Sequence, residues 1–91
     1  MNTRFELEVT KVWQIADDVA HIIGILRSGK VIPPCIAVLK EGQGESFQIE
    51  SVVIAKSVSG DPREITLSIK NPTFDHLQIE GQILCGQQQR D

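Results

Sequence analysis

Apolar and polar residues alternate along most of the chain with a period of two. Phe5, Leu7 and Val9 alternate with Glu6, Glu8 and Thr10, which describes a strand with one buried face. The odd positions continue apolar at Trp13 and Ile15, but Lys11 interrupts them and Val12 falls on the other face. A β-bulge near Thr10 and Lys11 accounts for the change of phase, and barrels use such bulges to bend. Asp17 and Asp18 make a polar break suited to a turn. Residues 19–26 are then apolar on both faces, as a central strand is, and Gly24 within them marks a sharp bend or a close backbone approach.

Ser28, Gly29 and Lys30 read as a turn. Val31 and Ile32 lead into Pro33 and Pro34, which remove two ladder donors and make that segment an edge or a loop. Residues 35–39 form another two-faced strand, and residues 41–45 a turn. Residues 47–55 predict a long strand whose apolar phase switches after Ile49, again the mark of a bulge. A turn at residues 59–62 precedes clean alternation of Ile65, Leu67 and Ile69 with Thr66, Ser68 and Lys70. Pro72, Phe74 and Leu77 fit one short helical turn that plugs a barrel end. Residues 82–85 predict a short closing strand, and residues 87–91 a frayed tail. About six strands with turn residues between them are the signature of a sandwich or small barrel.

Composition narrows the class. The 91 residues make one domain, residues 1–86 with the tail 87–91, and they show no internal repeat or linker. A hydrophobic share of 41% and a charged share of 23% are those of a globular chain rather than a disordered one. A domain of this size buries roughly 60–65% of its unfolded surface and folds with modest stability. No apolar run approaches the ~20 residues of a membrane helix. Arg4, Glu6 and Glu8 stand where a signal peptide would be apolar, so the expected location is cytoplasmic. Two cysteines, Cys35 and Cys85, are too few for a disulfide scaffold and read as buried thiols. The net charge of −3 and pI near 5.3 lack the basic excess of a nucleic-acid-binding domain, so any such contact requires a local patch.

Four segments, in order, resemble the second domain of the translational GTPases, the β-barrel that follows the G domain in elongation factor Tu and its relatives. Residues 5–9 through Val12, Trp13, Gln14 and Ile15 resemble the opening strand. Residues 19–31, with Gly24, Arg27, Gly29 and Lys30, resemble the second strand and its turn. Residues 47–52 resemble the strand after the third-strand turn. Residues 77–84, with Gly81 after Ile79 and Glu80, resemble the closing segment. Pro33, Pro34 and Cys35 stand where the family has a glycine and an aspartate. No GxxxxGK[ST] loop occurs, so the resemblance carries no GTP binding. It implies an all-β, six- or seven-stranded Greek-key-like β-barrel. It also implies a non-catalytic binding module that contacts RNA or a ribosome-associated protein.

The chemistry-bearing residues point the same way. His21, Cys35, His76 and Cys85 are the soft metal ligands, and no two stand two to four residues apart, so no zinc half-site is present. Neither cysteine carries the flanking signature of a nucleophile. Asp17 and Asp18 are adjacent in a turn and lack the spaced oxygens of a calcium loop. The expectation is therefore no enzyme, no metal and no cofactor. Arg27, Lys30, Lys56 and Arg63 are the candidates for a shared phosphate-binding rim. Trp13 is the candidate for stacking on a base or anchoring a partner, against the commoner use of Trp in packing. The alternative to RNA is protein binding or self-association through an exposed strand edge, with residues 47–55 as the candidate edge because they carry little charge after Glu50.

Overall fold

The structure, a computed structural model, describes residues 4–40, 46–54, 57, 59–72 and 78–86. The expected turn at 41–45, Phe74 and Leu77 of the expected helical turn that began at Pro72, and the tail at 87–91 lie outside the described residues, as do Lys56 and His76. Six strands make the fold: β1 (Phe5–Ala16), β2 (Val19–Gly29), β3 (Cys35–Leu39), β4 (Ser46–Val53), β5 (Glu64–Lys70) and β6 (Ile83–Gly86). They close into an antiparallel barrel in the order β1-β2-β5-β4-β3-β6. Strands β3, β4 and β5 follow one another, and β6 returns to lie beside β3, which is the Greek-key arrangement. Among the described residues no helix is long and apolar enough to cross a membrane.

The phase changes along the chain are bulges. The β1–β2 register shifts between Val9 and Lys11, so Thr10 is the extra residue. Its hydroxyl donates to the Ile23 carbonyl oxygen at 3.0 Å. Before the bulge, odd-numbered Phe5, Leu7 and Val9 point into the core. After it, Val12 packs against the core and Trp13 is exposed. The β4–β5 register shifts likewise between Ile49 and Ser51. Asp17 and Asp18 form the turn joining β1 to β2. Ser28 and Gly29, expected in a turn, instead finish β2 opposite Glu6 and Phe5. There Gly29 takes φ +77°, and an added Cβ would lie 2.2 Å from the Arg4 carbonyl oxygen. Pro33 and Pro34, joined by a cis peptide bond, lie in the loop before β3.

The core collects one face of every strand: Leu7 and Val9 from β1, Ile22 from β2, Ala37 from β3, Phe47 and Ile49 from β4, Leu67 and Ile69 from β5, and Leu84 from β6. Ile79 joins them from outside any strand, fully buried. It starts a turn in which the Gln82 N–H donates to the Ile79 carbonyl oxygen at 3.0 Å and Gly81 adopts φ +88°. The positive φ suits a glycine at the third position of the turn. A polar loop thus contributes an apolar side chain that closes one end of the barrel.

The expected edge over residues 47–55 divides at Ile49 among the described residues. β4 pairs with β3 from Ser46 to Ile49 and with β5 from Ile49 to Val53. Its apolar Phe47 and Ile49 are core residues on the two-sided part, and from Ser51 to Val53 the strand has β5 alone.

Gly24 is a close-approach glycine. A Cβ there would stand 2.6 Å from the Glu8 carbonyl oxygen and 2.7 Å from Leu7 Cγ. The neighbouring β1 backbone cannot move away without breaking its pairing with β2. Gly24→Ala therefore lowers stability by about 1–3 kcal/mol, the range of overpacked cores. Urea unfolding reads this as a lower midpoint; an unchanged midpoint would mean that β1 bends to admit the methyl group.

Candidate functional site

Two regions carry exposed side chains suited to binding, and they lie at opposite ends of β2. The first is the rim where β2 ends and β1 begins. Leu26 donates its main-chain N–H to the Arg63 carbonyl oxygen at 3.0 Å, and Lys30 donates to that of Arg4 at 3.3 Å. These bonds set the backbone of Arg63 beside Leu26 and that of Arg4 beside Lys30, near the end of β2 that carries Arg27. Lys56, the fourth basic residue of the expected rim, lies outside the described residues.

The charges at this rim are partly cancelled within the molecule. Arg27 donates from Nε to Glu8 Oε1 at 3.1 Å, and its Nη2 reaches the same oxygen. Arg63 donates from Nη2 to Asp61 Oδ2 at 3.2 Å, and its own main-chain N–H bonds Asp61 Oδ1 at 2.7 Å. The Arg63 hydrogen bonds hold the Asp61 carboxyl below its ordinary range. Exposed pairs of this kind contribute little to stability, so they organise this surface more than they stabilise the fold. Among the described residues no carboxylate pairs with Lys30 or Arg4.

An open groove of about 530 Å³ lies beside this rim, lined by residues that include Arg4, Glu6, Ser28 and Cys85. Cys85 is not poised for nucleophilic chemistry there. Burial pushes its thiol above the ordinary value, and the Glu6 carboxylate raises it further, the reverse of what an activated thiolate needs. Cys35 is buried in the core, and burial raises its thiol as well. Both cysteines are free. Among the described residues no three His, Cys, Asp or Glu side chains gather closely enough to hold a metal ion.

The second region is the far half of β1. β6 pairs with β1 only from Glu6 to Glu8. Val9 makes the last such contact, donating to the Gln82 carbonyl oxygen at 2.9 Å and accepting from the Gly81 N–H at 2.8 Å. Among the described residues, residues 11–16 keep β2 on one side and pair with no strand on the other. On that open side the Val12 N–H donates to the Glu80 carboxylate at 3.1 Å. Trp13 is 45% exposed and Ile15 55% exposed. The Lys11 ammonium sits 5.2 Å from the centroid of the Trp13 ring, a cation–π contact that fixes the indole without covering it.

Trp13 therefore does not share a site with the basic rim. It pairs with His21, six positions before Arg27 on β2, which is about 20 Å of strand. Ile15, Lys11 and Glu80 are the residues of this region that reading the chain alone passes over. The signal that could find the first two is the phase break at Thr10, which turns the following odd positions outward. Comparison with known protein families, with curated proteins and with solved structures finds no match.

The raised thiols give a measurable pH effect. Below about pH 8.5 the folded and unfolded thiols are both protonated and contribute no difference. Above it the unfolded chain loses its protons first, so stability falls as pH rises. Iodoacetamide near neutral pH should modify Cys85 slowly and Cys35 only as fast as the barrel opens, with full labelling in urea. Rapid labelling of Cys35 in the native protein, read by mass spectrometry, would contradict its burial.

Proposed function

We propose that the chain is a non-catalytic binding module that engages a protein through the open stretch of β1, residues 11–16. The observation that carries this reading is the coincidence of three features on one short segment. Among the described residues it is a strand lacking a partner on one side, it bears the exposed Trp13 and Ile15, and a side-chain carboxylate takes its Val12 N–H. An unpaired strand edge supplies main-chain bonds to an incoming strand, and neighbouring side chains supply selectivity. An exposed Trp is also a common anchor in protein contacts.

A second reading has one observation in its favour. The backbones of Arg63 and Arg4 lie beside Leu26 and Lys30, near the end of β2 that carries Arg27, and the resemblance to the translation-factor barrel suggests RNA or a ribosome-associated protein as the partner. Against it stand the pairing of Arg27 with Glu8 and of Arg63 with Asp61, and the net charge of −3. A phosphate would have to displace these carboxylates.

Affinity capture from a lysate of the source cells separates the two readings. Under the edge reading Trp13→Glu loses the captured protein and Arg27→Glu retains it, with little dependence on salt. Capture that resists Trp13→Glu but falls steeply with salt, after nuclease treatment and on Arg27→Glu would replace it with the RNA reading.

A further inference from the structure

We propose that the groove beside the end of β2 binds a small molecule through a phosphate monoester group, held by Arg4, Lys30 and Ser28. The inference goes beyond the edge reading, since none of these residues lies on the open stretch of β1.

Strand geometry builds the groove. Phe5 is a core residue, so by alternation Arg4 and Glu6 face outward on either side of it. Ser28 stands opposite Glu6 on β2, and Cys85 stands opposite Glu6 on β6. Directly opposite residues of an antiparallel pair share a face, so Ser28, Glu6 and Cys85 form one outward row across three strands. Gly29 and Gly86 end β2 and β6 beside that row and bring no side chains to it. The close pairing that forbids a Cβ at Gly29 therefore also leaves the space next to Arg4 open. The row, Arg4 and the two glycines line the volume of about 530 Å³. Clefts of roughly 300–1,000 Å³ are the size that takes a small ligand.

The charges around this groove are not equally available. Glu6 Oε2 accepts from Lys40 Nζ at 3.3 Å, so the carboxylate in the lining already has its cation. Arg27 is paired with Glu8, and Arg63 with Asp61. Arg4 and Lys30 pair with no carboxylate among the described residues, and both are exposed. The Lys30 N–H donates to the Arg4 carbonyl oxygen at 3.3 Å, which sets their Cα atoms about 5 Å apart. An oxyanion arriving here displaces no ion pair.

The charge of the site selects its ligand. Two uncompensated cations match a phosphate monoester, which carries about −1.5 to −2 at neutral pH, and exceed the charge of a single carboxylate. A guanidinium holds two phosphate oxygens in a fork, and an ammonium and a hydroxyl supply further donors. The rest of the volume admits the esterified group. A nucleic acid is a poorer occupant, because its further phosphates would pass Glu6 and Glu8 on β1, in a chain of net charge −3.

Titration of the purified full chain with glycerol phosphate, followed by NMR of the main-chain amides, tests this. The expected result is saturable shifts at millimolar ligand, confined to amides around the groove such as Phe5, Ser28, Gly29 and Cys85. Inorganic phosphate should move the same amides with weaker affinity, and glycerol or acetate at equal ionic strength should move none. Arg4→Ala weakens binding by roughly tenfold, the loss expected for hydrogen bonds to a charged group. Lys30→Ala weakens it by a smaller factor. Lys70→Ala, which removes an exposed charge from β5, leaves it unchanged. Unchanged thermal unfolding will show that the variants remain folded. Absence of saturable shifts overturns the proposal, as do equal losses from Arg4→Ala and Lys70→Ala. Tighter binding of a short single-stranded RNA than of glycerol phosphate at these amides also overturns it. Capture at Trp13 reads a different part of β1, so the two proposals fail separately.

Discussion

Closure of the barrel rests on four residues. β6 spans only Ile83–Gly86, yet it pairs with β1 on one side and with β3 on the other. It joins two strands that would otherwise be sheet edges, and it buries Leu84 among the side chains of the other five strands. Its brevity has a second effect. A closing strand of this length cannot follow β1 beyond Val9, and the turn from Ile79 to Gln82 caps the barrel there instead. The open stretch of β1 is thus the geometric remainder of a long strand closed by a short one. The surface assigned to binding follows from the same feature that closes the fold.

Much of the architecture was legible along the chain because it follows from local rules. The interruption at Lys11 and the switch after Ile49 both mark bulges, and Gly24 marks a close approach that admits no Cβ. Pairing partners were not legible, because alternation shows that a segment is a strand without showing what lies beside it. Residues 47–55 looked like one edge for their low charge, yet β4 is flanked by β3 and β5 up to Ile49 and by β5 alone from Ser51 to Val53. Trp13 shows the other limit. It shares odd parity with the buried Phe5 and Leu7, and only the extra residue at Thr10 turns it to solvent.

The electrostatics divide in the same way. The positions of Arg27, Lys30 and Arg63 near turns suggest a shared rim, and the hydrogen bonds at Leu26 and Lys30 bring the backbones of Arg63 and Arg4 toward the end of β2. That Arg27 meets Glu8 depends on the β1–β2 register and is invisible to spacing, since nineteen positions separate the two residues. A basic cluster seen in the chain is therefore a weaker cue than the same cluster after its ion pairs are assigned.

Beyond Ile49, β4 keeps β5 as a neighbour but no longer has β3, and Val52 and Ile54 there are exposed. The molecule thus carries two half-open borders of unlike sequence, one on β1 and one on β4, flanking the same run of four strands. Joining the β1 border of one molecule to the β4 border of the next would be a head-to-tail contact, and such contacts grow filaments unless their rotation closes a ring.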